Sequence, residues 1–319
     1  MIINNDIKDC SLEDHSLLHK LEHISPLIGN TPIIPFTGES EGIFAKLEYS
    51  NFSGSTKDRA SLSILTNAIE KKLLNKNSTI IESTSGNFGI SLAQFALALG
   101  IRFIPVIDPN ITTINKKVLK FLCEKVIEVK EIDATGGYLL SRIKAVENYK
   151  LEHPEVFHPN QYKNEYNWLG YKSLAREINN QMDTLDYIVI AVSTGGTITG
   201  VSREIKKYFP NIKVVAVDVK GSMIFQNTPQ KRKLSGLGSS RKSNFIANYG
   251  EVDEALIFEE KEILDNCKKM ARNNAIFAGA SSGAVYAGAQ TILKRHKNKD
   301  VKIMMVCPDR GTSYVDNYL

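Results

Sequence analysis

Short, nearly continuous apolar runs alternate with longer stretches of helical periodicity along this chain, and that alternation limits its fold more than any other feature. The runs lie at 43–47, 79–82, 103–107, 125–129, 187–191, 214–218, 255–258 and 302–306. Most are rich in Ile, Val and Phe with few polar interruptions, as expected of strands covered on both faces. Helical spacing fills stretches between them, at 60–72, 88–99, 115–122, 138–149 and 201–208. Strands alternating with helices build parallel sheets flanked by helices, so the expected class is α/β. The longest apolar stretch, 90–107, is divided by Gly100-Ile101-Arg102 into a helix and a strand. No stretch is long and polar-free enough to span a bilayer.

With 319 residues and 42% apolar content, the chain can bury a large core in one or two domains. His153-Pro154 and His158-Pro159 interrupt the pattern and place a boundary within 151–159. Two sheets with a cleft between them would hold a ligand near strand carboxyl ends. The net charge of +5 is dispersed, without a basic run interleaved with aromatics, so no nucleic-acid partner is expected. An anionic small substrate would still be favoured. Cys10, Cys123, Cys267 and Cys307 form no CxxC pair and fit neither a zinc site nor a disulfide framework. They read as reduced thiols of a cytoplasmic protein, with no metal expected. The first twenty residues hold Asp6, Asp9, Glu13 and Asp14 and no apolar h-region, so no secretory signal is expected.

Three polar loops carry the chemistry. Asn51-Phe52-Ser53-Gly54-Ser55-Thr56-Lys57 puts a lysine at the start of a helical pattern, with the helix expected to begin near Thr56. The helix dipole disfavours a cation there, which suits an amine condensed with an aldehyde. Most lysines are merely solvated charges, and this reading needs partners. Ser193-Thr194-Gly195-Gly196-Thr197 follows one strand run and precedes a helix, an arrangement that aims free amides at an anion. It lacks the lysine of a Walker A loop and the spacing of GxGxxG. Ser83-Thr84-Ser85-Gly86-Asn87 sits between another strand and helix, where Ser85 is read either as a helix cap or, with Thr84, as a carboxylate ligand. A lysine, a phosphate cradle and a carboxylate loop together suggest pyridoxal 5'-phosphate bound as a Schiff base. Ser281, before the helix expected at 284–296, is by itself a capping residue. Facing a pyridine nitrogen, it would leave that nitrogen unprotonated and favour loss of a β-substituent over transamination.

In this order the motifs resemble the cysteine synthase and cystathionine β-synthase group, the β-replacement branch of the fold type II pyridoxal-phosphate enzymes. The likeness runs from about Leu27 to Tyr314 and includes Ile28-Gly29-Asn30-Thr31-Pro32, the Lys57 segment, Thr84–Asn87, Asn160-Gln161-Tyr162, Gly195-Gly196-Thr197, Gly236-Leu237-Gly238 and 279–283. It implies a tryptophan synthase β-like fold of two α/β domains, a smaller mobile one at 48–157 and a larger one from 1–47 plus 158–319, with the cofactor between them. It implies a homodimer acting on small amino-acid substrates. Lys57 would form the internal aldimine, Asn87 would contact the cofactor 3'-oxygen, Ser193, Thr194, Gly195, Gly196 and Thr197 would hold its phosphate, and Ser281 would face its ring nitrogen. Ser83, Thr84, Ser85, Gly86 and Gln161 would position a substrate that passes through aminoacrylate.

Some positions depart from the sulfhydrylase pattern. Phe88 follows Asn87 where that group has Thr, and Arg241 follows the Gly236-Leu237-Gly238 turn. With Asp108-Pro109-Asn110, 133–139 and 164–168, these resemble the siderophore-type N-(2-amino-2-carboxyethyl)-L-glutamate synthases. That resemblance implies O-phospho-L-serine and L-glutamate as substrates, with Arg241 expected on an anion. Alternatives are a cysteine synthase using sulfide, a cysteine lyase releasing it, and a non-catalytic ligand-binding relative. No added regulatory domain is expected after Tyr314.

Overall fold

The computed structural model describes residues 12–84, 86–134, 136–296 and 300–318. Within them the apolar runs form two sheets. The larger contains β1 (Ile33–Pro35), β2 (Ile43–Leu47), β6 (Tyr187–Ala191), β7 (Lys213–Val219), β8 (Glu254–Phe258) and β9 (Ile303–Cys307), in the order β1-β2-β9-β6-β7-β8. The smaller contains β3 (Thr79–Ser83), β4 (Arg102–Ile107) and β5 (Ile127–Glu128), in that order. All pairings are parallel except β1 with β2. The helices are α1 (Leu12–Ile24), α2 (Lys57–Glu70), α3 (Asn87–Leu99), α4 (Thr113–Leu122), α5 (Leu139–Glu152), α6 (Tyr166–Leu169), α7 (Lys172–Gln181), α8 (Gly196–Ile205), α9 (Asn244–Tyr249), α10 (Glu260–Asn274), α11 (Ala280–Arg295) and α12 (Val315–Tyr318).

Strand side chains alternate between faces, and both faces of the large sheet are covered. Ile188, Ile190, Met304 and Val306 join one core with Leu174 and Ile178 of α7 and Ile198, Val201 and Ile205 of α8. Val189, Val215, Val217 and Met305 join the other with Val285, Ala289 and Ile292 of α11. That double cover is the physical reason the strand runs carry so few polar residues. In the smaller sheet Ile80 and Phe103 pack with Ile64 of α2 and Leu92 and Phe95 of α3, while Ile81, Ile104 and Val106 pack with Val146 of α5.

Several elements differ from expectation. The run at 125–129 pairs only at Ile127 and Glu128, on a half-buried sheet edge where little apolar surface rewards a longer strand. The segment after α5 is docked: Phe157 donates to Thr79 O at 2.9 Å and accepts from Ile81 N at 2.9 Å. Only beyond it does the chain leave the smaller sheet. Helix α2 begins at Lys57, next to the expected Thr56, but α8 and α11 begin five and four residues before the patterns at 201 and 284, because Gly, Ser and Thr, which read as loop, contribute to their first turns. Amides in those turns have no acceptor within the helix.

Candidate active site

The carboxyl ends of β3, β4, β6 and β9 open onto one cleft of about 620 Å³. Its lining includes Lys57, Thr84, Gly86, Asn87, Gln161, Ser193, Thr194, Gly195, Gly196, Thr197 and Ser281. Residues more than two hundred positions apart in sequence therefore meet in one site.

Lys57 is the first residue of α2. The start of that helix is fixed to β9 by Thr56 N donating to Pro308 O at 2.8 Å and by a bridge between Ser55 and Asp309. Two residues on, the buried Arg59 guanidinium meets Glu48 at 2.7 and 2.8 Å and Glu177 at 2.7 and 2.8 Å. This network, with Lys46 donating to Thr31 O at 2.6 Å, anchors the helix from behind. Arg59 pulls the Glu48 carboxyl down to about 2 against the opposing cost of burial. Burial lowers the Lys57 ammonium below its ordinary value, with the Asp309 carboxylate acting the other way.

Asp309, at the end of β9, organises the floor of the cleft. It is 3% exposed and accepts from Asn87 Nδ2 at 2.7 Å, Tyr314 OH at 2.9 Å and Ser281 Oγ at 3.3 Å. Burial raises its own pKa, while those donors and Lys57 oppose the rise. Asn87 and Ser281 thus converge on one carboxylate that also faces Lys57.

The 193–197 loop becomes the first turn of α8. Gly195 has φ +89°, where an L side chain is strained, and a methyl group on it would meet Ser243 Oγ. A methyl group on Gly196 would meet Asn167 Oδ1. The loop is braced by Ser243 Oγ donating to Thr194 O at 2.7 Å and Ser193 Oγ donating to Gly238 O at 3.1 Å. A helix N-terminus with glycine backbone open to the cleft is suited to a phosphate.

On the opposite side, Gln161 Nε2 donates to Ser83 O at 2.8 Å, and Asn167 Nδ2 donates to Gln161 O at 2.6 Å. Ser83 itself is buried behind the cleft, its hydroxyl without a hydrogen-bond partner among the described residues. Ser85 lies outside the described residues. Arg241 is set apart from the lining: it occupies the turn before α9, with its guanidinium 4.5 Å from the Tyr162 ring centroid. There it borders a small recess shared with Ser239, Lys242, Ser243 and Asn244 and with Tyr162, Ser193 and Thr194, which also line the cleft.

Arg142 of α5, 7% exposed, does line the cleft, as do Lys57, Lys231, Arg232 and Lys233, and its Nε lies 2.9 Å from Asp108 Oδ2. Arg142, Asp108, Tyr162 and Asp309 were not picked out as site residues from the sequence. Asp108 and Asp309 each follow a strand, so the strand-end rule was the available signal. Arg142 reads in sequence as an ordinary charge on a helix.

Residues 24–309 match the family described as "Pyridoxal-phosphate dependent enzyme". The chain belongs to this family. It is a pyridoxal-phosphate-dependent enzyme of fold type II, with two α/β domains and mostly parallel sheets. Similar solved structures include the O-acetylserine-dependent cystathionine β-synthase of Helicobacter pylori, with TM-score 0.85, 26% identity, and coverage of 92% of this chain and 96% of that one. A hydrogen sulfide-producing enzyme of Fusobacterium nucleatum matches with TM-score 0.85 and 27% identity over 91% of this chain and 98% of that one. An O-ureido-L-serine synthase matches with TM-score 0.82 and 28% identity over 92% of each. The cleft fits the cofactor: it offers an amine whose charge is disfavoured, a glycine-lined helix N-terminus for a phosphate, and amide and hydroxyl groups between them. No described helix is long and apolar enough to cross a membrane.

Proposed function

We propose that this enzyme replaces the β-substituent of O-phospho-L-serine with the amine of L-glutamate, giving N-(2-amino-2-carboxyethyl)-L-glutamate and phosphate. The observation that carries the phosphoserine reading is Arg142. A guanidinium so deeply buried at a cleft wall is costly unless it meets negative charge, and Asp108 engages its Nε side. A phosphate leaving group would set a dianion beside this guanidinium, a stronger partner than the neutral oxygens of an acetyl ester. The resemblance of the 133–139 and 164–168 segments supports glutamate as the nucleophile.

In this reading Lys57 holds the cofactor covalently and later moves the proton at the substrate Cα. The amides and hydroxyls of 193–197 hold the cofactor phosphate, Asn87 its 3'-oxygen, and Ser281 faces its ring nitrogen. When bound, pyridoxal phosphate supplies the sink for the electrons left at Cα. Thr84, Ser85, Gly86 and Gln161 hold the substrate carboxylate, and Arg142 the leaving phosphate. The unit 48–157 carries Thr84, Asn87 and Arg142, and its approach to the rest of the chain would exclude water. The named activities of the structural neighbours, sulfide production and use of O-acetylserine, supply the competing outcomes.

Wild-type protein is expected to carry the visible absorption of lysine-bound pyridoxal phosphate, and Lys57→Ala to lose it. Mass spectrometry of reactions with O-phosphoserine plus glutamate or sulfide decides the products. Turnover of O-acetylserine but not O-phosphoserine would refute the leaving group, and cysteine as the sole product would refute the nucleophile.

A further inference from the structure

The outer wall of the cleft is a strap, residues 229–235, that the chemistry above does not use. Its backbone is built rather than loose. Gln230 N donates to Gly221 O at 3.2 Å, and Lys233 N and Leu234 N donate to Glu260 Oε1 at 2.6 and 2.8 Å. Arg232 turns inward, donating from Nη1 to Leu237 O at 3.0 Å, within the field of the Asp218 and Glu260 carboxylates. Leu237 belongs to the turn whose Gly238 accepts from Ser193, so the strap is held in register with the phosphate loop.

Lys231 and Lys233 are exposed, both line the cleft, and among the described residues neither ammonium makes an ion pair. Deeper in the cleft the carboxylates are already engaged, Asp108 by Arg142 and Asp309 by Asn87, Ser281 and Tyr314. The mouth therefore presents two uncompensated positive charges on a fixed backbone. Cations so placed concentrate anions at the opening, and flexible ammonium groups suit a carboxylate arriving from solvent.

We propose that Lys231 and Lys233 form the subsite for the side-chain carboxylate of the incoming nucleophile, an amino acid with an acidic side chain. This rests on the β-replacement reading given above. The replacement breaks the substrate Cβ–O bond, whose electron pair leaves with the phosphate, and forms a Cβ–N bond as the attacking amine gives up a proton. Holding the far carboxylate at the mouth turns the α-amine of the same molecule inward.

The test uses the holoenzyme with L-glutamate and L-glutamine, which differ in that one charge. The Lys231→Ala/Lys233→Ala variant should raise KM for glutamate on the order of tenfold with kcat little changed, and leave KM for glutamine unaltered. Added salt should raise the wild-type KM for glutamate but not that of the variant. The double arginine variant should restore it. An unchanged KM for glutamate overturns the proposal. So does slower phosphate release from O-phosphoserine in the absence of amine, which would assign the strap to the leaving group. If only O-acetylserine is consumed, the phosphoserine reading falls alone, and the same comparison run on O-acetylserine decides the strap. If sulfide is accepted and neither amine is, glutamate and the strap fall together.

Discussion

Glu48→Gln should expose how the cleft lysine Lys57 is held. Glu48 is fully buried and meets Arg59 through both carboxylate oxygens, at 2.7 and 2.8 Å. Its pKa of about 2 in the folded protein stands against an ordinary 4.5. A separation of roughly 2.5 pH units, at about 1.4 kcal/mol per unit, corresponds to about 3–4 kcal/mol of stability. Because the folded pKa is the lower one, this contribution is complete above about pH 4.5 and is lost as the pH falls towards 2. Glutamine keeps the shape and removes the titration. Urea unfolding should therefore show the variant less stable by about 3–4 kcal/mol at pH 7, with the gap closing as the medium is acidified through that window. A gap that stays constant down to low pH would refute the assignment to Glu48, and no gap at pH 7 would refute the pairing itself. Arg59 lies two residues from Lys57 in the first turn of α2, so the variant should also lose turnover more than substrate affinity.

Asp309→Asn removes the charge that holds up the Lys57 pKa, so the neutral amine should appear at lower pH. Capture of pyridoxal phosphate by apoenzyme, followed by absorbance, should shift its acid limb downward. Gly196→Ala drives a methyl group into Asn167 Oδ1, and overpacking of about 1–3 kcal/mol should weaken cofactor binding roughly 5- to 160-fold in a fluorescence titration. Arg142→Ala should lower kcat/KM for O-phosphoserine by roughly 10- to 100-fold, the range expected for a lost charged hydrogen bond, while sparing cofactor binding.

Local physics made much of this protein legible. Apolar strands covered on both faces, as at β6 and β9, must be written without polar alternation, so the α/β class could be read directly. The loops at 83–87 and 193–197 were visible as Gly, Ser and Thr between a strand and a helix. The start of α8 was not placed, because those residues read as loop whether or not they form a first helical turn. Arg241 and Arg142 mark the boundary more sharply. Both are arginines beside polar segments, and nothing local separates them. The first stacks over Tyr162 at the side of the cleft, and the second enters it because α5 packs across the smaller sheet through Val146.

By itself, the sequence determined the layered fold, the lysine at a helix start and the glycine-bearing loop between β6 and α8, since each depends on neighbours within a few residues. Tertiary structure decided which charges share the site. Asn87 and Asp309 are 222 residues apart and follow strands of different sheets, β3 and β9, and their contact exists only because the carboxyl ends of both sheets face one cleft. The same convergence lowers the Lys57 pKa, pairs Arg142 with Asp108 and sets two lysines at the mouth, because burial and distance are properties of the assembled cleft.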